Sequence, residues 1–84
     1  MSYEILIEHR AQKEISKLPS SICARVSRAI ESLSSEPRPN CKKLAGSRNE
    51  WRVRVGDYRI LYVINNFAKQ VAVYAVGHRR DVYR

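Results

Sequence analysis

Cysteine, proline and glycine are all scarce in this 84-residue chain, which holds two, three and three of them. Two thiols, Cys23 and Cys41, are too few for a disulfide framework or a four-ligand zinc site. Both are read as free thiols of a reducing cytoplasm. There is no Gly-rich phosphate loop, and no cluster of carboxylates or histidines fit to hold a metal. No apolar run approaches the roughly 20 residues that cross a bilayer. The first residues, Met1 to Glu8, lack the basic head and small-residue cleavage site of a secretory signal. A hydrophobic fraction of 44% argues against disorder. The expectation is one soluble cytoplasmic domain spanning residues 1–84, with no cofactor and no metal. A chain of this size buries only roughly 60 to 65% of its unfolded surface, so its core is small.

What the chain does have is positive charge. Sixteen Lys and Arg stand against eight Asp and Glu, for a net charge of +8, and the pI is near 10. The excess is not spread evenly. Residues 1–36 are balanced, with five basic and five acidic groups, whereas residues 37–84 hold eleven basic groups and three acidic ones, Glu50, Asp57 and Asp81. Basic groups clustered in one part of a small domain are the electrostatic footprint of a nucleic-acid binder. A membrane-surface protein would carry them on an amphipathic helix instead. Here they avoid the helical part.

Hydrophobic periodicity supplies the elements. Residues 2–8 alternate, with Tyr3, Ile5 and Ile7 on one face and Glu4, Leu6 and Glu8 on the other, which predicts a strand. From His9 the period changes, and Ala11, Ile15 and Leu18 form one face of a short helix. Pro19 breaks it. Ser20 or Ser21 can cap a second helix, whose apolar stripe is Ile22, Val26, Ile30 and Leu33 with Ala29 beside it. Pro37 and Pro39 exclude both helix and central strand from the linker that follows. Trp51-Arg52-Val53-Arg54-Val55 then alternates strictly between apolar and basic. Gly56-Asp57 reads as a type II′ turn into Tyr58–Ile64. After a longer turn from Asn65 to Gln70, Val71–Val76 is a nearly continuous apolar run, suited to a central strand and ended by Gly77. The order β-α-α-β-β-β predicts an α+β fold, a single small domain with a helical hairpin packed on a largely antiparallel sheet.

A two-residue turn also fixes register. It sets Val55 opposite Tyr58, Arg54 opposite Arg59, Val53 opposite Ile60, Arg52 opposite Leu61 and Trp51 opposite Tyr62. Trp51, Val53, Val55, Tyr58, Ile60 and Tyr62 then share one face, and Arg52, Arg54 and Arg59 the other. Like charges directly opposite are destabilising. Three guanidiniums on one face are reasonable where an anion visits, and the Arg fork matches phosphate. The segment Gly77-His78-Arg79-Arg80-Asp81-Val82-Tyr83-Arg84 adds an imidazole, guanidiniums and a phenol within eight residues. His78 and Tyr83 are the nearby candidates for proton transfer.

The run Lys43-Leu44-Ala45-Gly46, the hairpin Trp51–Tyr62 and the segment Val76–Tyr83 together resemble the RelE/ParE superfamily of bacterial and archaeal toxins. The RelE branch is the nearer, and the similarity covers essentially the whole chain. The resemblance implies a RelE-like fold and the toxin of a type II toxin–antitoxin system: a ribosome-dependent mRNA endonuclease that inhibits translation. The family's active-site positions match Arg52 and Arg54 on the second strand, Arg59 on the third, Arg79 after the fourth, and Tyr83. Lys42, Lys43, Arg48 and Arg80 are expected to bind RNA around them. The implied partners are a small acidic antitoxin that wraps the toxin and mRNA in the ribosomal A site. Operator DNA is reached only through the antitoxin, and no membrane is involved. Two departures matter. The second-strand positions are often Lys in that family, and an Arg can stabilise charge but not act as base. His78 falls where some relatives carry Lys. The ParE-like branch shares the fold, poisons DNA gyrase and lacks the nuclease residues. Arg59, Arg79 and Tyr83 favour the RelE branch. The chemistry implied is metal-free attack of a 2′-hydroxyl on its neighbouring phosphate, giving a 2′,3′-cyclic phosphate and a 5′-hydroxyl.

Overall fold

A computed structural model describes residues 2–35, 42–43 and 50–78. The elements run β1 (Glu4–Ile7), α1 (His9–Ser16), α2 (Ser20–Ser32), β2 (Lys42–Lys43), β3 (Glu50–Val55), β4 (Tyr58–Asn65) and β5 (Gln70–His78). The strands form a single sheet in the order β1-β5-β4-β3-β2. β1 lies parallel to β5, and the other neighbours are antiparallel. The α+β architecture, with a helical hairpin on a largely antiparallel sheet, is the expected one. The two-residue β2 is an addition that periodicity could not show. The linker prolines Pro37 and Pro39 lie outside the described residues. No helix among the described residues is long and apolar enough to cross a membrane.

The helical boundaries follow from local chemistry. The α1 helix ends on short-range bonds, Lys17 N–H to the Glu14 carbonyl and Leu18 N–H to that of Ile15. Such bonds tighten a last turn whose carbonyls would otherwise be orphaned. Leu18 therefore packs on the core from just beyond the helix. The expected serine cap is absent: Pro19 holds the N-cap position at φ −56 and ψ 148, with no side-chain cap bond, and both serines are already helical. The pyrrolidine ring fixes a φ that suits this extended entry.

The core lies between the two helices and one face of the sheet. Ala11, Val26, Ile30 and Leu33 come from the helical layer, and Val55, Ile60, Tyr62, Ile64, Val71, Val73 and Val76 from the sheet. The predicted stripe of α2 faces inward, and β1 alternates as its sequence does, with Tyr3, Ile5 and Ile7 against the core. β5 lies between β1 and β4, with Val71, Val73 and Val76 in the core and, on the other face, Ala75 buried but Ala72 and Tyr74 only half-buried. Tyr62 is wholly buried, whereas Trp51 is half-buried at the margin. Tyr62→Ala should therefore cost about 3 to 5 kcal/mol, as for other aromatic deletions in cores, and Trp51→Ala distinctly less. Urea unfolding of both variants measures the ranking, which equal losses would contradict.

Candidate nucleic-acid interface

The β3–β4 hairpin carries the site, and its turn sets the geometry. Gly56 has φ +60 and Asp57 does not share a positive φ, which is the backbone signature of the expected type II′ turn. A side chain at position 56 would be strained in that conformation. The pairs that follow are Val55 with Tyr58, Arg54 with Arg59, Val53 with Ile60, Arg52 with Leu61 and Trp51 with Tyr62. Val53, Val55, Ile60 and Tyr62 belong to the core under the helices. Alternation places Arg52, Arg54 and Arg59 on the opposite face. The structure thus brings these three together.

Their surroundings differ. Arg54 is exposed, and its Nε donates to the Gly56 carbonyl at 3.2 Å. Arg52 and Arg59 are half-buried. On the same face, Leu61 and Ala75 are almost fully buried, with Tyr74 packed against them. The arginines therefore stand beside an apolar strip rather than on an open polar surface. Arg59 pairs across to Gly77 of β5, so no β-carbon stands opposite its own on that side. Behind the turn, on the helical side, the Arg25 guanidinium comes within 3.7 Å of where a Gly56 β-carbon would stand.

The tail residues fare unequally. His78 pairs with Tyr58, and their rings meet edge to face at 5.6 Å between centroids and 82° between planes. Cross-strand partners share a face. His78 is therefore on the helical side of the sheet, away from Arg52, Arg54 and Arg59. A β-bulge causes this. The β4–β5 register jumps between Leu61, opposite Ala75, and Tyr62, opposite Val73, leaving Tyr74 as the extra residue. One extra residue reverses the alternation beyond it, turning Val76 and His78 towards the helices. β5 also continues through Gly77 to His78 rather than ending at the glycine. Lys42 and Lys43 form β2 opposite Arg52 and Trp51. Arg48, Arg79, Arg80 and Tyr83 lie outside the described residues.

One contact was not foreseen. Glu14 of α1 accepts the Val76 N–H on Oε1 at 2.8 Å, and its Oε2 accepts Arg10 Nε at 3.3 Å. An Arg–Glu pair at i, i+4 is the only sequence hint, and it points to the helix surface, not to the strand. Among the described residues no three His, Cys, Asp or Glu side chains gather as metal ligands.

Similarity to known proteins spans nearly the whole chain. Residues 5–83 match the family model described as ParE toxin of type II toxin-antitoxin system, parDE. The toxin RelG of Mycobacterium tuberculosis is 36% identical over 89 aligned positions, covering 100% of this chain and 99% of that protein. The toxin–antitoxin complex RelBE2 from the same organism contains a chain that superposes with a TM-score of 0.84 at 31% identity, covering 94% of this chain and 100% of that one. A chain of the archaeal RelE–RelB complex from Pyrococcus horikoshii gives 0.84 at 27%, covering 98% and 100%.

The facing guanidiniums give a direct test. Arg54→Glu replaces a like-charge pair by an opposite-charge one, and should stabilise the free protein by about 0.2 to 1 kcal/mol. The same change should weaken RNA binding and flatten its dependence on salt, since fewer counterions are released. Urea unfolding and a salt series of RNA titrations read the two effects. Loss of stability with unchanged RNA affinity would contradict the phosphate assignment of this face.

Proposed function

The chain belongs to the RelE/ParE superfamily of type II toxin–antitoxin toxins, on its RelE branch, and on that premise we propose that it is a ribosome-dependent mRNA endonuclease that inhibits translation. The observation that carries the reading is the trio Arg52, Arg54 and Arg59 on one sheet face, with Arg54 and Arg59 directly opposite each other. Such a pair opposes folding, and a phosphate between two guanidiniums converts the repulsion into charge-assisted bonding. A gyrase poison needs no such arrangement.

Cleavage through the 2′-hydroxyl requires three things: a base for that hydroxyl, an acid for the leaving 5′-oxygen, and cations for the charge that builds on phosphorus. The guanidiniums supply the third, aided by Arg79. An arginine keeps its proton and so cannot serve as base. Tyr83 and His78 are left for proton transfer, and the position of His78 on the helical side supports Tyr83 as the principal group. Neither step calls for a metal. Lys42, Lys43, Arg48 and Arg80 would add further positive charge for binding the RNA backbone. The ribosome would orient the A-site mRNA for in-line attack, a contribution of positioning rather than of new chemistry. In the cell the chain would work in the cytoplasm, restrained by a small acidic antitoxin and linked to operator DNA only through it. The RelE chains it resembles come from complexes with RelB antitoxins.

Induction of the intact chain without antitoxin should stop protein synthesis. Arg59→Ala should lower the cleavage rate about 10²- to 10³-fold, as for loss of one charge-stabilising group. Primer extension on mRNA from induced cells, beside a gyrase supercoiling assay, decides between nuclease and gyrase poison. Intact transcripts with inhibited supercoiling would overturn the proposal. Single-turnover cleavage on programmed ribosomes ranks the proton-transfer groups: Tyr83→Phe should be severely slowed and His78→Ala only mildly. A fast Phe variant beside a dead His variant would reverse the assignment.

A further inference from the structure

β1 accompanies β5 only as far as Ile7 opposite Val73, where Glu8 N–H donates to the Val73 carbonyl at 2.9 Å. The bulge at Tyr74 follows immediately. Beyond it, no strand among the described residues flanks this side of β5, and α1 packs against the strand. Val76 N–H points that way and ends on Glu14 Oε1 at 2.8 Å, in a part-buried position. Arg10 holds the second carboxylate oxygen at 3.3 Å. A helix carboxylate thus stands in for the missing strand. Three residues further along the chain is Arg79.

We propose that Glu14 is a positioning residue, holding the C-terminal end of β5 in place; its effect on turnover rests on the nuclease reading above. A hydrogen bond to a carboxylate, partly withdrawn from water, is stronger than a neutral one. Without it, the Val76 N–H loses its acceptor, and a strand end with one backbone bond fewer opens more often. Opening at that point leaves Arg52, Arg54 and Arg59 where they are, so RNA is still bound. The fraction of bound complexes in which β5 is formed up to His78, the residue before Arg79, falls instead, and small displacements of catalytic groups are costly in rate. Glu14 therefore acts on turnover and not on binding.

The experiment uses the full chain with Glu14→Ala and Glu14→Gln. Alanine favours the helix, so α1 is kept, and glutamine retains a carbonyl acceptor in the place of Oε1. Amide exchange at Val76, Gly77 and His78 is measured by NMR, and single-turnover cleavage on programmed ribosomes gives a maximal rate and a half-saturating concentration. In Glu14→Ala, exchange at these amides should rise by roughly tenfold or more, and the maximal rate should fall by a similar factor with the half-saturating concentration little changed. Glu14→Gln should restore most of both. Parental cleavage by the folded Ala variant overturns the proposal, as does a change confined to the half-saturating concentration, or a Gln variant as slow as the Ala one. If the parent protein cleaves nothing on ribosomes, the nuclease reading has failed. Exchange in Glu14→Ala then decides by itself whether Glu14 holds β5, and unchanged exchange overturns that too.

Discussion

Gly56 at φ +60 closes the β3–β4 hairpin in two residues, and with that closure every pair from Val55–Tyr58 to Glu50–Val63 is determined. Side chains alternate with a period of two, so a slip of one residue would exchange the faces completely. Ile60 and Tyr62 would turn to water, and Arg52, Arg54 and Arg59 would turn under the helices. Burying one large apolar side chain contributes about 1.5 to 3 kcal/mol, and an uncompensated buried guanidinium costs several more. Against that, the facing pair Arg54–Arg59 opposes folding by only about 0.2 to 1 kcal/mol. The core dictates the register, and the arginines accept the position it leaves them.

The bulge at Tyr74 does for β5 what the turn does for the hairpin. Plain alternation from Val71 would carry Val73, Ala75 and Gly77 inward, leaving Val76 and His78 outward. The extra residue instead sends Val76 into the main core and Ala75 onto the arginine face beside Leu61. It also brings Gly77 beside Arg59 and His78 beside Tyr58. A single irregularity thus fills the core with the larger residue, sets a glycine opposite Arg59, and removes the imidazole from the cationic face.

The hairpin was fully legible because its information is local: a Gly-X turn and strict alternation of apolar and basic residues suffice to deduce each cross-strand pair. The stripe Ile22, Val26, Ile30 and Leu33 was legible for the same reason. What escaped the sequence depends on distant partners. A bulge made by a tyrosine carries no glycine to mark it, so alternation along Val71–Val76 alone would set His78 on the arginine face. Lys42 and Lys43 are a strand only because β3 lies beside them. Glu14 looks like a solvated helix residue until β1 stops short of Val76. Even the start of α2 followed the φ that proline imposes rather than the serines beside it.

Burial grades the three arginines in a way their spacing does not. Arg52 and Arg59 are half-buried, beside the apolar strip of Leu61 and Ala75, whereas Arg54 is exposed at the turn. Attraction between a guanidinium and a phosphate strengthens as water is withdrawn. A half-buried side chain is also already fixed by its packing, so less ordering is needed when the anion arrives. Within the nuclease reading, Arg52 and Arg59 are therefore suited to the charge that grows on the reacting phosphate, where preorganised groups act most strongly. Arg54, more hydrated and freer, is suited to drawing the RNA backbone onto the sheet, a long-range contribution that salt screens. The same side-chain type serves both ends of the process because the sheet gives each copy a different share of solvent.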